Sequence, residues 1–236
     1  MAYLVLLRHG QSFWNQLNIF TGWVDIPLNN KGIEEAISAG DKISSIPFDI
    51  IYVSNLIRAQ MTAFLAMNQT KTEKIPCLIH DNDPNHLEMS RVNDPKIEKS
   101  LIPVYARYEL NERMYGDLQG MNKEETLKKF GEEQFRLWRR SYHVNPPHGE
   151  SLEMTAKRAI PFFQNTIIPL LTQNKNILIS AHGNSLRAIV MFLDKLSEDE
   201  VIKLEISTGD PLCYKFEKGN HWTKLPAEMA NNQFKK

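Results

Sequence analysis

Cysteine is scarce in this chain: two residues in 236, Cys77 and Cys213, each set inside an apolar run. Thiols in such settings read as small buried hydrophobes in a reducing compartment, and neither falls in a metal-ligand spacing. Net charge is also missing, because Lys+Arg and Asp+Glu both total 28. That balance excludes a general polyanion binder working by counterion release. Trp14 and Trp23 sit in no basic aromatic stripe, so they read as packing residues, and no nucleic-acid partner is expected. No run of about 18 apolar residues occurs, and "MAYLVLLRHG" has neither a basic n-region nor a small-residue cleavage site. The expectation is a soluble cytoplasmic protein with no membrane partner. Repeats, heptads and low-complexity tracts are absent too. A single domain over 1–236 is expected, long enough to bury a core without staples.

What is present is an alternation of strand and helix signals. The continuously apolar run Tyr3 to Leu7 predicts a strand buried on both faces. "NNKGIEEAISAGDKIS" places Ile33, Ala36, Ile37 and Ile43 at helical spacing, "FDIIYVS" is a second strand, "NLIRAQMTAFLAM" a helix and "KIPCLI" a third strand. This grammar predicts an α/β fold with a mostly parallel central sheet and helices on both faces. Residues 80–108, rich in Pro, Asn and Asp, read as an irregular insertion. Two short helices punctuated by Gly131 follow, then a long helix containing Pro161, with Ser151 and Glu153 as capping candidates. "KNILISAHGNSLRAIVMFL" repeats the opening order of strand, histidine, glycine and helix, and "PLCYKF" reads as the final strand. His221 and Trp222 read as a surface turn, and His143 and His148 as part of the loop before the long helix.

Two strand ends therefore carry the same punctuation, "LLRHG" and "ISAHGNS". In a parallel sheet both would deliver their histidines, His9 and His182, to the carboxyl edge, where open α/β sheets place their ligands. Arg58, early in the helix after the second strand, brings a cation to the same edge. Paired imidazoles with convergent arginines suit phosphoryl transfer: one imidazole attacks phosphorus while guanidinium forks and the other imidazole neutralise the spread charge. Lysine would lack the planar fork. Glu112, in the turn-rich "ELNERMYGDLQG", is the candidate proton donor. Adjacent Arg139 and Arg140 could serve a second anionic group or form a solvated helix face. His80, Asp81, Asp83, His86 and Glu88 match no calcium or zinc spacing, so no metal site is read there.

"LLRHG", "AHGNS" and the arginine after the second strand resemble the histidine phosphatase superfamily. "FTGWVDIPLNNKG", "SNLIRAQMT", "LNERMYGDLQGMNKEE", "FRLWRRSYHVNPP", "GESLEMTAKRAIPFF" and "STGDPL" resemble, more narrowly, its cofactor-dependent (2,3-bisphosphoglycerate-dependent) phosphoglycerate mutase branch, from Leu4 to about Phe216. The resemblance implies the phosphoglycerate mutase-like fold and an isomerase of glycolysis and gluconeogenesis. Such an enzyme interconverts 3-phosphoglycerate and 2-phosphoglycerate through a phosphohistidine primed by 2,3-bisphosphoglycerate, with no metal. It implies His9 as nucleophile, Glu112 as general acid and base, His182 as transition-state stabiliser, and Arg8, Arg58, Ser12 and Asn15 around the transferring phosphate. Gly10, Gln11, Thr21, Gly22, Arg113, Met114, Tyr115, Lys123, Arg139, Arg140, Gly183 and Asn184 match the substrate pocket. A homodimer is the assembly it allows.

The chain departs from that pattern in places. Met114 replaces a histidine beside the acid, and the stretch between "YHVNPP" and "GESLEMT" is shorter than in many bacterial relatives, which bears on subunit contacts. The tail 226–236 resembles the mobile segment that covers the pocket, where excluding water would protect a phosphohistidine from hydrolysis. The rival readings are a phosphomonoesterase of the same superfamily and a non-catalytic interaction scaffold.

Overall fold

In a computed structural model, residues 1–81, 83–92, 94–217 and 221–235 are described. Seven strands, β1 (Ala2–Arg8), β2 (Ile50–Val53), β3 (Ile75–Ile79), β4 (Leu101–Ala106), β5 (Ile177–Ala181), β6 (Pro211–Glu217) and β7 (His221–Leu225), form one sheet in the order β3-β4-β2-β5-β1-β6-β7. The first five are mutually parallel, and β6 runs antiparallel to both β1 and β7. The mostly parallel sheet read from the sequence is therefore what forms.

Its core is double. Alternate residues of β1 point to opposite faces, as the pleat requires. Leu4 and Leu6 pack with the helices Leu152–Phe162 and Gly183–Asp194, while Tyr3, Val5 and Leu7 pack with Asn30–Ile43 and Ile57–Met67. The long helix opens on Ser151, whose hydroxyl accepts the Met154 N–H at 3.1 Å. Glu153 does not cap; it pairs with Lys157 and His143. A π turn at Phe163–Ile167 separates the Pro161 segment from a last turn, Ile168–Thr172, that holds Pro169. Prolines remove two ladder donors there, and the altered turn is where the helix absorbs the loss.

Three sequence expectations need correction. The stretch 80–108 is not irregular throughout, although Asn82 and Asn93 lie outside the described residues. It holds the helices His86–Met89 and Pro95–Lys99 and, above all, β4, an interior strand with Ile102 and Val104 fully buried. Pro103 hid it, since proline gives up a ladder hydrogen bond and is usually confined to edges. His221 and Trp222 are not a turn but the start of β7, with the Trp222 indole N–H bonded to the Leu193 carbonyl at 2.5 Å. The tail 226–236, of which Lys236 is outside the described residues, does not cover the site. It forms the helix Ala227–Asn232, buries Ala227 and Ala230, and anchors Asn231 to the Ser45 N–H at the far end of the helix Asn30–Ile43. Phe234 meets Tyr3, near the amino end of β1, at 5.0 Å between ring centroids. Among the described residues no helix is long and apolar enough to cross a membrane.

Candidate active site

The order β2-β5-β1 sets three carboxyl ends side by side. Arg8 ends β1, and the His9 N–H continues the ladder to the Ala181 carbonyl at 3.0 Å, which fixes His9 beside the end of β5. His182 follows β5 directly, and the two imidazole centroids lie 4.9 Å apart. Arg58 enters from the helix after β2. All three are buried: His9 is 2% exposed, His182 0% and Arg58 1%.

The His9 Nδ1 hydrogen is committed to the Gly10 carbonyl at 2.7 Å, which leaves Nε2 with its lone pair free. For His182, Nε2 lies 2.7 Å from Ser54 Oγ, which also accepts the Leu56 N–H at 3.2 Å. The His182 Nδ1 is buried and has no partner.

Burial, Arg58 and Arg8 hold His9 well below its ordinary pKa, against the opposing pull of the Gly10 carbonyl. His182 is lowered likewise by burial, Arg58, His9 and Arg8. Both rings are thus neutral at neutral pH. Arg58 is itself lowered to about 10 by burial, against Glu112 and Asp25, and so remains charged.

These directions make a stability prediction. An unfolded chain binds protons at both histidines near pH 6.5 that the folded chain refuses, so stability must fall as pH drops below that value. The slope reaches about 1.4 kcal/mol per pH unit for each ring, in a window above the range where carboxylates titrate. Urea unfolding at pH 7, 6 and 5.5 should show a midpoint that falls on acidification; a constant midpoint would contradict the buried neutral pair.

Glu112 comes from the loop after β4. Its Oε1 accepts the Arg113 N–H at 2.8 Å, the Asn184 N–H at 3.1 Å and Asn184 Nδ2 at 2.9 Å. Burial pushes its pKa up, but those donors together with Arg8 and Arg58 outweigh it and hold the carboxyl below its ordinary value.

A cleft opens over this edge. Arg8, Arg58, Lys123, Arg139, Arg140 and Arg187 line it against only two carboxylates, Glu112 and Glu205, so it is built for anions. His9, Asn15, Thr21, Gly22, Tyr115, Gly183 and Asn184 also line it. Arg8 Nε and Thr21 Oγ1 are buried there without partners. Such orphaned donors fit a phosphorylated ligand. No group of three or more metal-ligating side chains occurs among the described residues.

Several expected pocket residues lie behind the lining instead. A β-carbon on Gly10 would stand 2.2 Å from the Gly32 carbonyl oxygen, so its glycine is needed for close backbone approach. The Gln11 side chain accepts from Asn29, and Ser12 caps the first helical turn while exchanging bonds with Asn15. Arg113 is 1% exposed and props Tyr115, whose hydroxyl it meets at 3.0 Å. Met114 joins Glu150 through its backbone, and His182 packs against His9 rather than on the open cleft.

Arg187 and Glu205 escaped the sequence reading. Arg187 stands three and four residues after Asn184 and Gly183 on one helix, a spacing that puts it on their face and could have revealed it. Glu205 had no local signal; it matters because folding sets it 2.6 Å from Arg140 and 3.2 Å from Arg187.

The comparisons agree with this geometry. The family model described as "Histidine phosphatase superfamily (branch 1)" matches residues 4–81 and 95–226. A 2,3-bisphosphoglycerate-dependent phosphoglycerate mutase of Chlamydia caviae is 57% identical over 91% of this chain and 93% of that protein. The protein of the same name from Protochlamydia amoebophila is 56% identical over 92% of this chain and 96% of that protein. Among solved structures, a mycobacterial glucosyl-3-phosphoglycerate phosphatase in complex with VO3 superposes with a TM-score of 0.72 at 21% identity, covering 96% of this chain and 98% of that chain. A family match that takes in both histidine-bearing strand ends, with relatives more than half identical along most of the chain, settles the kinship: the chain belongs to the histidine phosphatase superfamily.

Proposed function

We propose that the protein is a 2,3-bisphosphoglycerate-dependent phosphoglycerate mutase, an isomerase that interconverts 3-phosphoglycerate and 2-phosphoglycerate. The observation that carries this reading is a free imidazole nitrogen on His9 at the base of a cleft with six cationic side chains. A phosphatase needs charge around one phosphoryl group. A ligand with a carboxylate and up to two phosphates needs cations at the far side as well, and Lys123, Arg139, Arg140 and Arg187 supply them.

His9 Nε2 attacks phosphorus in line, so that an N–P bond forms as the ester P–O bond breaks. Arg8, Arg58 and His182 take up charge on the equatorial oxygens. Glu112 gives a proton to the departing oxygen and, in the return half-reaction, removes it from the accepting hydroxyl. Its carboxylate form is favoured in the free site, and an arriving phosphate raises its proton affinity through like charge. The primer, when bound, supplies the phosphoryl group that His9 carries; Arg8 and Thr21, with their unpartnered polar atoms, and the distal cations would hold it. The arginines already place fixed positive charge where a metal ion stands in other phosphoryl-transfer sites, so full activity without a divalent ion belongs to this reading. A cytoplasmic location and a homodimer are proposed with it.

Paired assays of isomerisation and hydrolysis of 3-phosphoglycerate, each with and without 2,3-bisphosphoglycerate, test the proposal. Isomerisation that depends on the bisphosphate and greatly exceeds hydrolysis is expected. Hydrolysis without isomerisation would favour the phosphomonoesterase.

A further inference from the structure

The stretch Gly149 to Arg158 contributes nothing to the cleft lining, yet it ends on the most heavily bonded side chain near it. Arg158, 10% exposed, pairs with Glu150 through Nε to Oε1 at 3.0 Å and Nη2 to Oε2 at 2.8 Å. Its remaining hydrogens go to backbone carbonyls: Nη1 to Glu109 at 2.8 Å, Asn111 at 2.9 Å and Tyr108 at 3.3 Å, and Nη2 to Glu112 at 2.9 Å. Glu150 completes the frame. Its Oε2 accepts the Met114 N–H at 3.0 Å, and its own N–H donates to the Met114 carbonyl at 2.8 Å. The Trp23 indole N–H also bonds the Glu112 carbonyl, with the Arg158 guanidinium 5.7 Å from the indole ring.

The loop so gripped leaves the sheet after β4 and has only a short turn, Tyr108–Leu110, of its own. Little regular structure fixes where Glu112 stands. Four carbonyls and both polar groups of Met114 are instead fastened to one ion pair. Only a planar fork with five donors can meet so many acceptors at once; lysine has three hydrogens on one point. A bidentate pair with both partners mostly removed from water also resists exchange with solvent, which suits a part that defines geometry rather than one that adds stability.

We propose that the Arg158–Glu150 pair is a positioning device for the Glu112 carboxylate, setting the backbone so that Oε1 meets the Arg113 and Asn184 donors and Oε2 is left toward the cleft. The proposal rests on the reading of Glu112 as the residue that moves the proton. A small displacement of such a group costs rate far more than binding.

The test is a double-mutant cycle on the full chain, reading kcat and KM for 3-phosphoglycerate, with the folded fraction of each variant taken from circular dichroism. Arg158→Met should lower kcat by on the order of thirtyfold while KM stays within about threefold, and Arg158→Lys should recover only part of the loss. In a Glu112→Gln background the same Arg158→Met change should cost less than about threefold, because the group being positioned has already lost its chemistry. If Arg158→Met does not fold, Glu150→Gln should give the same pattern at smaller size. An equal loss in both backgrounds, or a loss that follows the folded fraction, would overturn the positioning role while leaving the Glu112 assignment standing. Near-normal turnover of Glu112→Gln alone would overturn the assignment and the proposal together.

Discussion

Replacing His9 with alanine is expected to abolish formation of a phosphoenzyme and to lower isomerisation by about four orders of magnitude or more, since covalent catalysis has no second route here. The nearest alternative nucleophile, His182, has its Nε2 engaged with Ser54 and does not line the cleft. Neither cysteine lines the cleft: Cys77 lies in β3 and Cys213 in β6. Binding should survive, because the cleft cations do not depend on the imidazole. Gels run under alkaline conditions, in which a phosphohistidine survives, after incubation with labelled 2,3-bisphosphoglycerate check this. Label on the remaining histidines of the variant would show that the nucleophile is misassigned.

Glu112→Gln should produce the second largest effect. The amide keeps the length and shape of the side chain and an oxygen for the Arg113 and Asn184 donors, but it can neither give nor take the proton. Transfer should slow in both directions by on the order of a hundredfold or more, with KM for 3-phosphoglycerate little changed. The two half-reactions should slow together, because the same carboxyl protonates the departing oxygen in one and deprotonates the accepting hydroxyl in the other. Single-turnover measurement of phosphoenzyme formation and decay tests this; a variant in which only one of the two slows would place the proton donor for the other step elsewhere, with the loop around Met114 the first place to search.

The parts of this account that were legible in the sequence share one property: their signal is local. A continuous apolar run followed by Arg-His-Gly gives β1 and its carboxyl edge, and the repeat of that grammar at His182 puts a second histidine at the same edge of a parallel sheet; the pairing of Arg8 with Ala181 makes the two strands neighbours. The helix announced by Ser151 begins where its cap puts it. What escaped depends on distant partners. β4 is an interior strand because β3 and β2 flank it, and nothing in "LIPVYA" outweighs its proline. The tail is a docked helix because Asn231 finds the end of another helix and Phe234 finds Tyr3. Arg158 reads in the sequence as one more basic residue on a helix; its six hydrogen bonds exist only once the loop carrying Glu112 has been folded over it. The close approach of Gly10 to the Gly32 carbonyl, which leaves no room for a side chain, likewise exists only in the folded chain.

The central claim, a phosphoryl group passing through His9 between phosphoglycerates, is tested most directly by a chase. The protein is loaded with labelled phosphate from 2,3-bisphosphoglycerate, separated from the free primer, and then given unlabelled 3-phosphoglycerate or buffer alone. The label should sit on His9 by peptide analysis, persist in buffer for many turnover times, and move on addition of 3-phosphoglycerate into bisphosphoglycerate and then monophosphoglycerate. Label that leaves as inorganic phosphate at the same rate with or without the acceptor would contradict a mutase and make the protein a phosphatase.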